Sequence, residues 1–174
     1  MDARKSSKPL NRTANQTAME LTSDLEIVIT RTFNGPPRIV FEAWTRPELV
    51  RRWWAPKALG VSVVSIDADV RVGGRYRYVL QRGDGGGEVA FSGTYREVAP
   101  PSRLVYTQAF EPYPDEVIIT ITLTERDGQT DFVSHELWPS KEIRDMAMST
   151  GMEKGMRMTM DQLDELVASL SEEA

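Results

Sequence analysis

The sequence predicts an α+β fold in which a curved antiparallel sheet of about seven strands wraps round a long C-terminal helix, with two short helices after the first strand. Two observations predict this arrangement. Residues 61–137 form runs of alternating apolar and polar residues joined by short Gly- and Pro-rich turns, the pattern of strands connected as hairpins. From about residue 139 to residue 170 apolar residues recur instead at helical spacing, with no internal proline. This helix can cover the apolar face of the sheet, and the space between them is either filled by side chains or a pocket.

Neither an internal repeat nor a second domain is visible in the sequence. Residues 23–171 are therefore predicted to form a single domain. Residues 1–22 are polar, rich in Ser, Thr, Asn and Gln, and aperiodic, which predicts a flexible N-terminal tail.

The first strand and the two short helices come from residues 24–54. Residues 24–33 alternate as a strand, and the Gly-Pro-Pro sequence that follows ends the strand and opens a helix. Pro47 starts a second short helix that runs to Trp53 or Trp54. Adjacent residues cannot share one helix face, so one Trp is expected to pack inward while the other lies at a rim or entrance. The alternative is that both rings pack the hinge of the helix pair.

Six further strands follow, each bounded by turn residues. They are predicted at 61–69, 75–81, 88–98, 103–110, 116–124 and 130–137. The glycine-rich segment 82–87 lies between two of these strands, and no helix follows it whose N-terminus could hold a phosphate. We therefore interpret it as a hairpin loop.

The C-terminal helix is predicted to start at Ser140, whose hydroxyl can cap free backbone N–H groups. Six Met residues between Met146 and Met160 give it a flexible apolar face, which forms either part of the core or one wall of a cavity. Gly151 and Gly155 each cost a helix about 1 kcal/mol relative to Ala. That cost predicts that a strand or a ligand approaches the backbone closely there.

Composition excludes several classes of function. A net charge of −5 does not favour binding to nucleic acid or to an anionic membrane. The absence of Cys rules out disulfides, thiol catalysis and thiolate metal sites. No apolar run approaches the 18 or so residues of a membrane span, and no secretory signal is recognisable, so a cytoplasmic location is expected.

Residues with acid–base chemistry are few. His135 is the single histidine and has no Cys or carboxylate cluster near it in sequence, so neither a metal site nor a cofactor is expected. His135 and Glu136 are the candidate catalytic residues. They point to opposite faces of the last strand, and the sequence leaves open which face is inward, because both are mixed. In an apolar cavity the pKa of Glu136 would rise, whereas at a solvated edge it would be an ordinary surface residue.

A family resemblance is carried by four stretches, in order over residues 24–170. They are FEAWTRPEL at 41–49 with Trp53, Trp54 and Pro56; DVRVGGRY at 69–76; GTYREV at 93–98 with Pro101, Arg103 and LVYT at 104–107; and PSKE at 139–142 with STGMEKG at 149–155. The chain resembles the START-related and birch-pollen-allergen-like (SRPBCC, helix-grip) superfamily. Within it, the chain is similar to the branch named after the activator of the heat-shock-protein-90 ATPase. Many relatives carry Trp where this chain has Met156, so no role tied to that Trp is implied here.

The resemblance implies a helix-grip fold more firmly than it implies a function. Relatives include carriers of hydrophobic ligands, polyketide cyclases and a co-chaperone domain. We expect a hydrophobic or aromatic small molecule in a cavity between sheet and helix, with a cyclase- or hydrolase-type enzyme and a co-chaperone-like interaction domain as alternatives. A homodimer and a chaperone partner are also left open. Residues expected to line the cavity are Trp53, Trp54, Tyr76, Tyr78, Phe91, Tyr106, Ile119, Phe132, Met148, Gly151, Met152, Gly155 and Met156.

Overall fold

A computed structural model describes residues 16–173. Their strands are β1 Ala18–Glu20, β2 Glu26–Phe33, β3 Ser62–Ala68, β4 Arg75–Gln81, β5 Glu88–Ala99, β6 Arg103–Phe110, β7 Glu116–Arg126 and β8 Gln129–Leu137. Their helices are α1 Pro37–Thr45, α2 Pro47–Val50, α3 Lys141–Ser149 and α4 Met152–Glu172, with a 3₁₀ turn at Lys57–Leu59.

The strands form one antiparallel sheet in the order β1-β2-β8-β7-β6-β5-β4-β3. The predicted α+β architecture is confirmed, with eight strands in place of about seven. The additional strand, β1, pairs with β2 through Ala18 and Thr30. It lies inside the predicted tail, so the boundary at residue 22 is too late. Three residues are too short to show alternation, and β1 is fixed by pairing rather than by its own pattern. Residues 1–15 of the predicted tail lie outside the described residues.

The inner face of the sheet carries the alternating residues of the central strands. On β7, Val117, Ile119, Ile121 and Leu123 are all buried. On β8, Phe132 and Glu136 are buried, whereas Val133 is 38% exposed. The face of β8 that carries Glu136 is therefore the inner one, which answers the question that the sequence left open.

The turn after α2 is tied to α4 by one side chain. The Gln162 amide nitrogen donates to the backbone oxygens of Trp53 (2.8 Å) and Ala55 (2.7 Å). The Gln162 oxygen accepts the backbone N–H of Lys57 at 3.0 Å. Next to this junction the Trp53 indole donates to the Ala43 carbonyl of α1 at 2.8 Å. These hydrogen bonds hold α1, the turn after α2 and α4 together.

A buried arginine joins β2 to α4 and to Thr17, the residue before β1. The Arg31 guanidinium donates to the Thr17 hydroxyl (3.0 Å), to Asp161 (2.6 Å) and to Asp164 (3.1 Å). Arg31 is only 6% exposed, so these contacts compensate a charge removed from water. They fix the edge of the sheet against α4.

The predicted long C-terminal helix is two helices. Ser140 caps α3 as predicted, accepting the backbone N–H of Ile143 at 3.1 Å. Gly151, with a φ of 82°, interrupts the run and is the N-cap of α4. A left-handed residue cannot continue a right-handed helix, and helical spacing of apolar residues does not reveal such a break.

No strand approaches either glycine closely, so that part of the prediction is wrong. A Cβ atom on Gly151 would meet nothing within 4 Å. Glycine is favoured there because the backbone φ is positive. A Cβ atom on Gly155 would lie 3.9 Å from Pro56, an ordinary van der Waals contact.

The two glycines should therefore respond oppositely to alanine. Gly151→Ala is expected to lower the free energy of unfolding by about 1–2 kcal/mol, because a left-handed backbone is unfavourable for Ala. Gly155→Ala is expected to raise it by up to about 1 kcal/mol, because Ala is the better helix former. Urea unfolding of both variants measures this contrast, and a loss of stability in both would contradict it.

Candidate functional site

Four buried tyrosines lie together on the concave side of the sheet. Tyr76 and Tyr78 come from β4, Tyr95 from β5 and Tyr106 from β6. Tyr95 and Tyr106 are direct cross-strand partners. Ring centroids are 4.9 Å apart for Tyr76 and Tyr78, and 5.5 Å apart for Tyr76 and Tyr95. We call these four residues the tyrosine cluster.

The hydroxyls of the tyrosine cluster have polar neighbours within the protein. The Tyr76 hydroxyl donates to the Thr107 carbonyl at 2.7 Å. The Tyr78 hydroxyl is next to Tyr95, and the Tyr106 hydroxyl is next to Trp44 of α1. Burial raises the pKa of each of these phenols above its ordinary value. The hydroxyls therefore stay neutral and serve as hydrogen-bonding groups rather than as bases.

A small cavity of about 10 Å³ lies within the cluster. That volume corresponds to about one water molecule. No charged residue lines it; the lining residues are Trp44, Trp54, Tyr76, Tyr78, Tyr95, Leu104, Tyr106 and Gln108. Six of the eight lining residues are aromatic.

Glu136 lies two strands away from the cluster on the same inner face. It is opposite Ile119 on β7, and Ile119 is opposite Tyr106 on β6. One carboxylate oxygen accepts the Trp138 indole N–H at 3.1 Å. Burial raises the pKa of Glu136 to about 7. Its carboxyl group therefore exchanges a proton near neutral pH, although it does not line the cavity.

His135 lies on the outer face of the sheet. It pairs with Glu26 of β2, and the hydrogen bonds from His135 and Ser23 lower the pKa of that glutamate. The pair is partly exposed. The two candidate acid–base residues are thus on opposite sides of the sheet, and His135 has no access to the buried cluster.

The predicted lining residues separate into groups. Trp54, Tyr76, Tyr78, Phe91 and Tyr106 are brought together, with Trp54 4.8 Å from Phe91 and 5.0 Å from Tyr78 between centroids. The others lie in the wider core or at its margin. Trp53, Ile119 and Phe132 are buried in the core, and Met148, Met152 and Met156 are half-buried against it. Gly155 lies beside Pro56, and Gly151 is exposed.

The expected lining residues did not include Trp44, Tyr95, Leu104 and Gln108, and Trp138 was not expected as the partner of Glu136. Trp44 follows Phe41 at helical spacing, which marks a core position. Leu104 lies on the same face of β6 as Tyr106, so strand alternation could have placed both at one site. The same alternation places Gln108 on that face too, although its polar side chain did not mark it as a lining residue.

An open polar groove of about 640 Å³ lies at the other side of β4 and β5. It is lined by Asp67, Ala68, Asp69, Arg75, Tyr76, Arg77, Ser92, Gly93, Thr94, Glu111 and Glu116. Arg77 is paired with Glu111 across it at 3.0 Å. Four carboxylates and two arginines line the groove, so its charge is mixed with an acidic excess.

Two features are absent from residues 16–173. No group of three or more His, Asp or Glu side chains in that range is arranged to hold a metal ion. None of the helices in that range is long and apolar enough to cross a membrane.

Solved structures resemble this fold over most of its length. A protein of Rhodobacter sphaeroides superposes with a TM-score of 0.80 at 21% identity, covering 88% of this chain and 99% of its own. Protein CV1439 of Chromobacterium violaceum gives a TM-score of 0.74 at 27% identity, with coverages of 84% and 99%. A Staphylococcus epidermidis protein gives 0.72 at 28% identity, with coverages of 87% and 94%. Among proteins with curated functions, none shows significant similarity to the sequence.

The sheet, the paired short helices and the C-terminal helix together define a helix-grip fold. Residues 34–168 match the model of the family described as activator of Hsp90 ATPase homolog 1-like protein. The chain belongs to that family, as the resemblance in its sequence motifs implied.

Proposed function

We propose that this protein binds a small, uncharged aromatic molecule, with the tyrosine cluster as the binding site. The observation that carries the proposal is the concentration of six aromatic rings, four Tyr and two Trp, around an uncharged cavity. Tyr and Trp offer flat apolar faces together with polar tips that orient a ligand. An ordinary core could have placed aliphatic residues at these positions without having to bond buried hydroxyls.

The charge of the ligand follows from the lining. Burial of an unpaired ionic group costs several kcal/mol or more, depending on how far it is removed from water. The lining residues supply hydroxyl, indole and amide groups but no cation or carboxylate. A neutral ring with one or two hydrogen-bonding groups matches these partners better than a carboxylate or an amine does.

The size of the cavity requires that side chains move when the ligand binds. At about 10 Å³ the space cannot hold a ring, so the ligand must displace part of the aromatic wall. Trp54 is one of the half-buried residues of that wall, together with Trp44 and Gln108. Trp53 next to it is 2% exposed and anchored through its indole, whereas Trp54 is half-buried and makes edge contacts with Tyr78 and Phe91. Half-buried Met152 and Met156 add a flexible margin to the same core.

Acid–base catalysis in the same region is a second candidate function, and it depends on Glu136. A carboxyl group with a pKa of about 7 can give or take a proton at neutral pH. Its position two strands from the cavity places it outside the groups that would touch a ligand there. We therefore propose binding as the primary function.

Two fluorescent probes that share one ring system test the proposal. N-phenyl-1-naphthylamine is neutral, and 1-anilinonaphthalene-8-sulfonate is the same molecule with a sulfonate added. The uncharged lining predicts at least about tenfold tighter binding of the neutral probe, since an unpaired sulfonate costs more than about 1.4 kcal/mol to bury. Absence of binding by the neutral probe, or preference for the sulfonate, would contradict the proposal.

A further inference from the structure

We infer that aromatic ligands enter through a mouth formed by Phe91, Phe110 and Tyr113, with the Trp54 side chain as its gate. The inference rests on the proposed function and adds the route to the binding site. These three residues are called the aromatic mouth below.

A continuous series of ring contacts leads from the surface to the tyrosine cluster. Tyr113 stacks on Phe110 with centroids 6.0 Å apart and planes at 16°. Phe110 is 5.2 Å from Phe91, Phe91 is 4.8 Å from Trp54, and Trp54 is 5.0 Å from Tyr78. Each step is within the range of favourable aromatic contacts.

Exposure falls steadily along this series. Tyr113 is 61% exposed and Phe110 41% exposed, Phe91 and Trp54 are half-buried, and Tyr78 is 5% exposed. Strand register places the mouth on the concave side, because Phe91 is the cross-strand partner of both Phe110 and Tyr78. Two stacked, exposed aromatic rings at that opening form apolar surface that a ligand can contact before it enters.

The motion of the gate is a rotation of one side chain. The backbone on either side of Trp54 is held by Gln162, which bonds the carbonyls of Trp53 and Ala55. A loop fixed at both points cannot swing away from the sheet as a lid. The indole of Trp54 is held in place by ring-edge contacts, so turning about its own side-chain bonds opens the path to Tyr78.

An entry route controls rates without controlling equilibrium affinity. Removing rings from the mouth removes a surface on which the ligand is held during both entry and exit, so both rate constants fall together. The dissociation constant, which depends on the end states, stays the same. This behaviour separates the mouth from residues that contact the bound ligand.

Stopped-flow mixing with N-phenyl-1-naphthylamine tests the inference. In the variant Phe110→Ala/Tyr113→Ala, association and dissociation rate constants should both fall by about threefold or more, within the range over which mutations change association rates. Val133→Ala, which shortens a similarly exposed side chain on the outer face, is the matched control and should leave both rates unchanged.

Each alternative result has a distinct meaning. Rates that match the wild type, with the probe still bound, would overturn the aromatic mouth and leave the binding site intact. A change in the dissociation rate alone would also overturn it, because Phe110 and Tyr113 would then contact the bound ligand. Failure of the wild-type protein to bind the probe would overturn both the mouth and the proposed function.

Discussion

Replacing both Asp161 and Asp164 with Asn is expected to lower the free energy of unfolding by about 3–5 kcal/mol, the cost of leaving a buried charge without its partners. The Arg31 side chain is only 4% exposed, and its guanidinium bonds both carboxylates. Asn keeps the size of Asp and some hydrogen-bonding capacity, so the loss reports the charge. Chemical unfolding of the double variant measures it.

Two further variants make this result specific to the buried charge. Adding Arg31→Met to the double variant removes the unpaired cation, and should recover at least half of the lost stability, since apolar replacement of a buried ion pair is often neutral. Glu153→Gln breaks a partly exposed pair with Arg157 on the same helix and should cost no more than about 0.5 kcal/mol. A loss under about 1 kcal/mol in the double variant would mean that Arg31 is adequately solvated.

Glu136 should make the stability of the protein fall as the pH rises from about 4.5 to about 7. Burial raises its pKa from 4.5 to about 7 in the folded state. Below pH 4.5 the carboxyl is protonated in both states and no penalty applies. Above pH 4.5 the unfolded chain ionises first, so unfolding becomes easier until the folded state also ionises near pH 7. The full difference corresponds to about 3 kcal/mol.

Glu136→Gln is expected to remove this part of the pH dependence. At pH 8 the variant should be more stable than the wild type by about 2–3 kcal/mol, because an amide avoids the cost of burying a charge. Gln can still accept the N–H of Trp138. Glu125→Gln, which removes an exposed carboxylate from the end of β7, is the control. Parallel curves of stability against pH for the wild type and Glu136→Gln would contradict the account.

Regular alternation and helical spacing predicted most of the fold. The face of β7 that carries Ile119 and Ile121 could be read directly, since four of the five apolar residues of the strand, all but Ile118, fall on that side. On β8 alternation does not identify the inner face, because apolar Val133 and Leu137 lie on the outer face while Glu136 lies inside. The inward side of that strand is decided by its neighbours, which the sequence of the strand alone does not specify.

The site was less predictable than the fold because the register between strands brings together residues that are distant in the sequence. Tyr78 and Phe91 are 13 residues apart in the sequence but directly opposite each other in the sheet. The contribution of Trp44 depends on how α1 lies over that sheet. The apolar spacing does not predict the break at Gly151, because the spacing continues past that residue. Only the left-handed backbone of Gly151 ends the helix.

The central claim, that aromatic ligands bind in the tyrosine cluster, is tested most directly by the indole N–H signals of ¹⁵N-labelled protein. The chain has four Trp residues, which give four such signals, assignable by single Trp→Phe variants. On addition of N-phenyl-1-naphthylamine the Trp54 and Trp44 signals should shift, since both side chains line the cavity. The Trp138 signal should move least, because that indole is bonded to Glu136. Unchanged Trp54 and Trp44 signals, with shifts confined to outer-face amides such as those of Val133 and Leu137, would contradict the account.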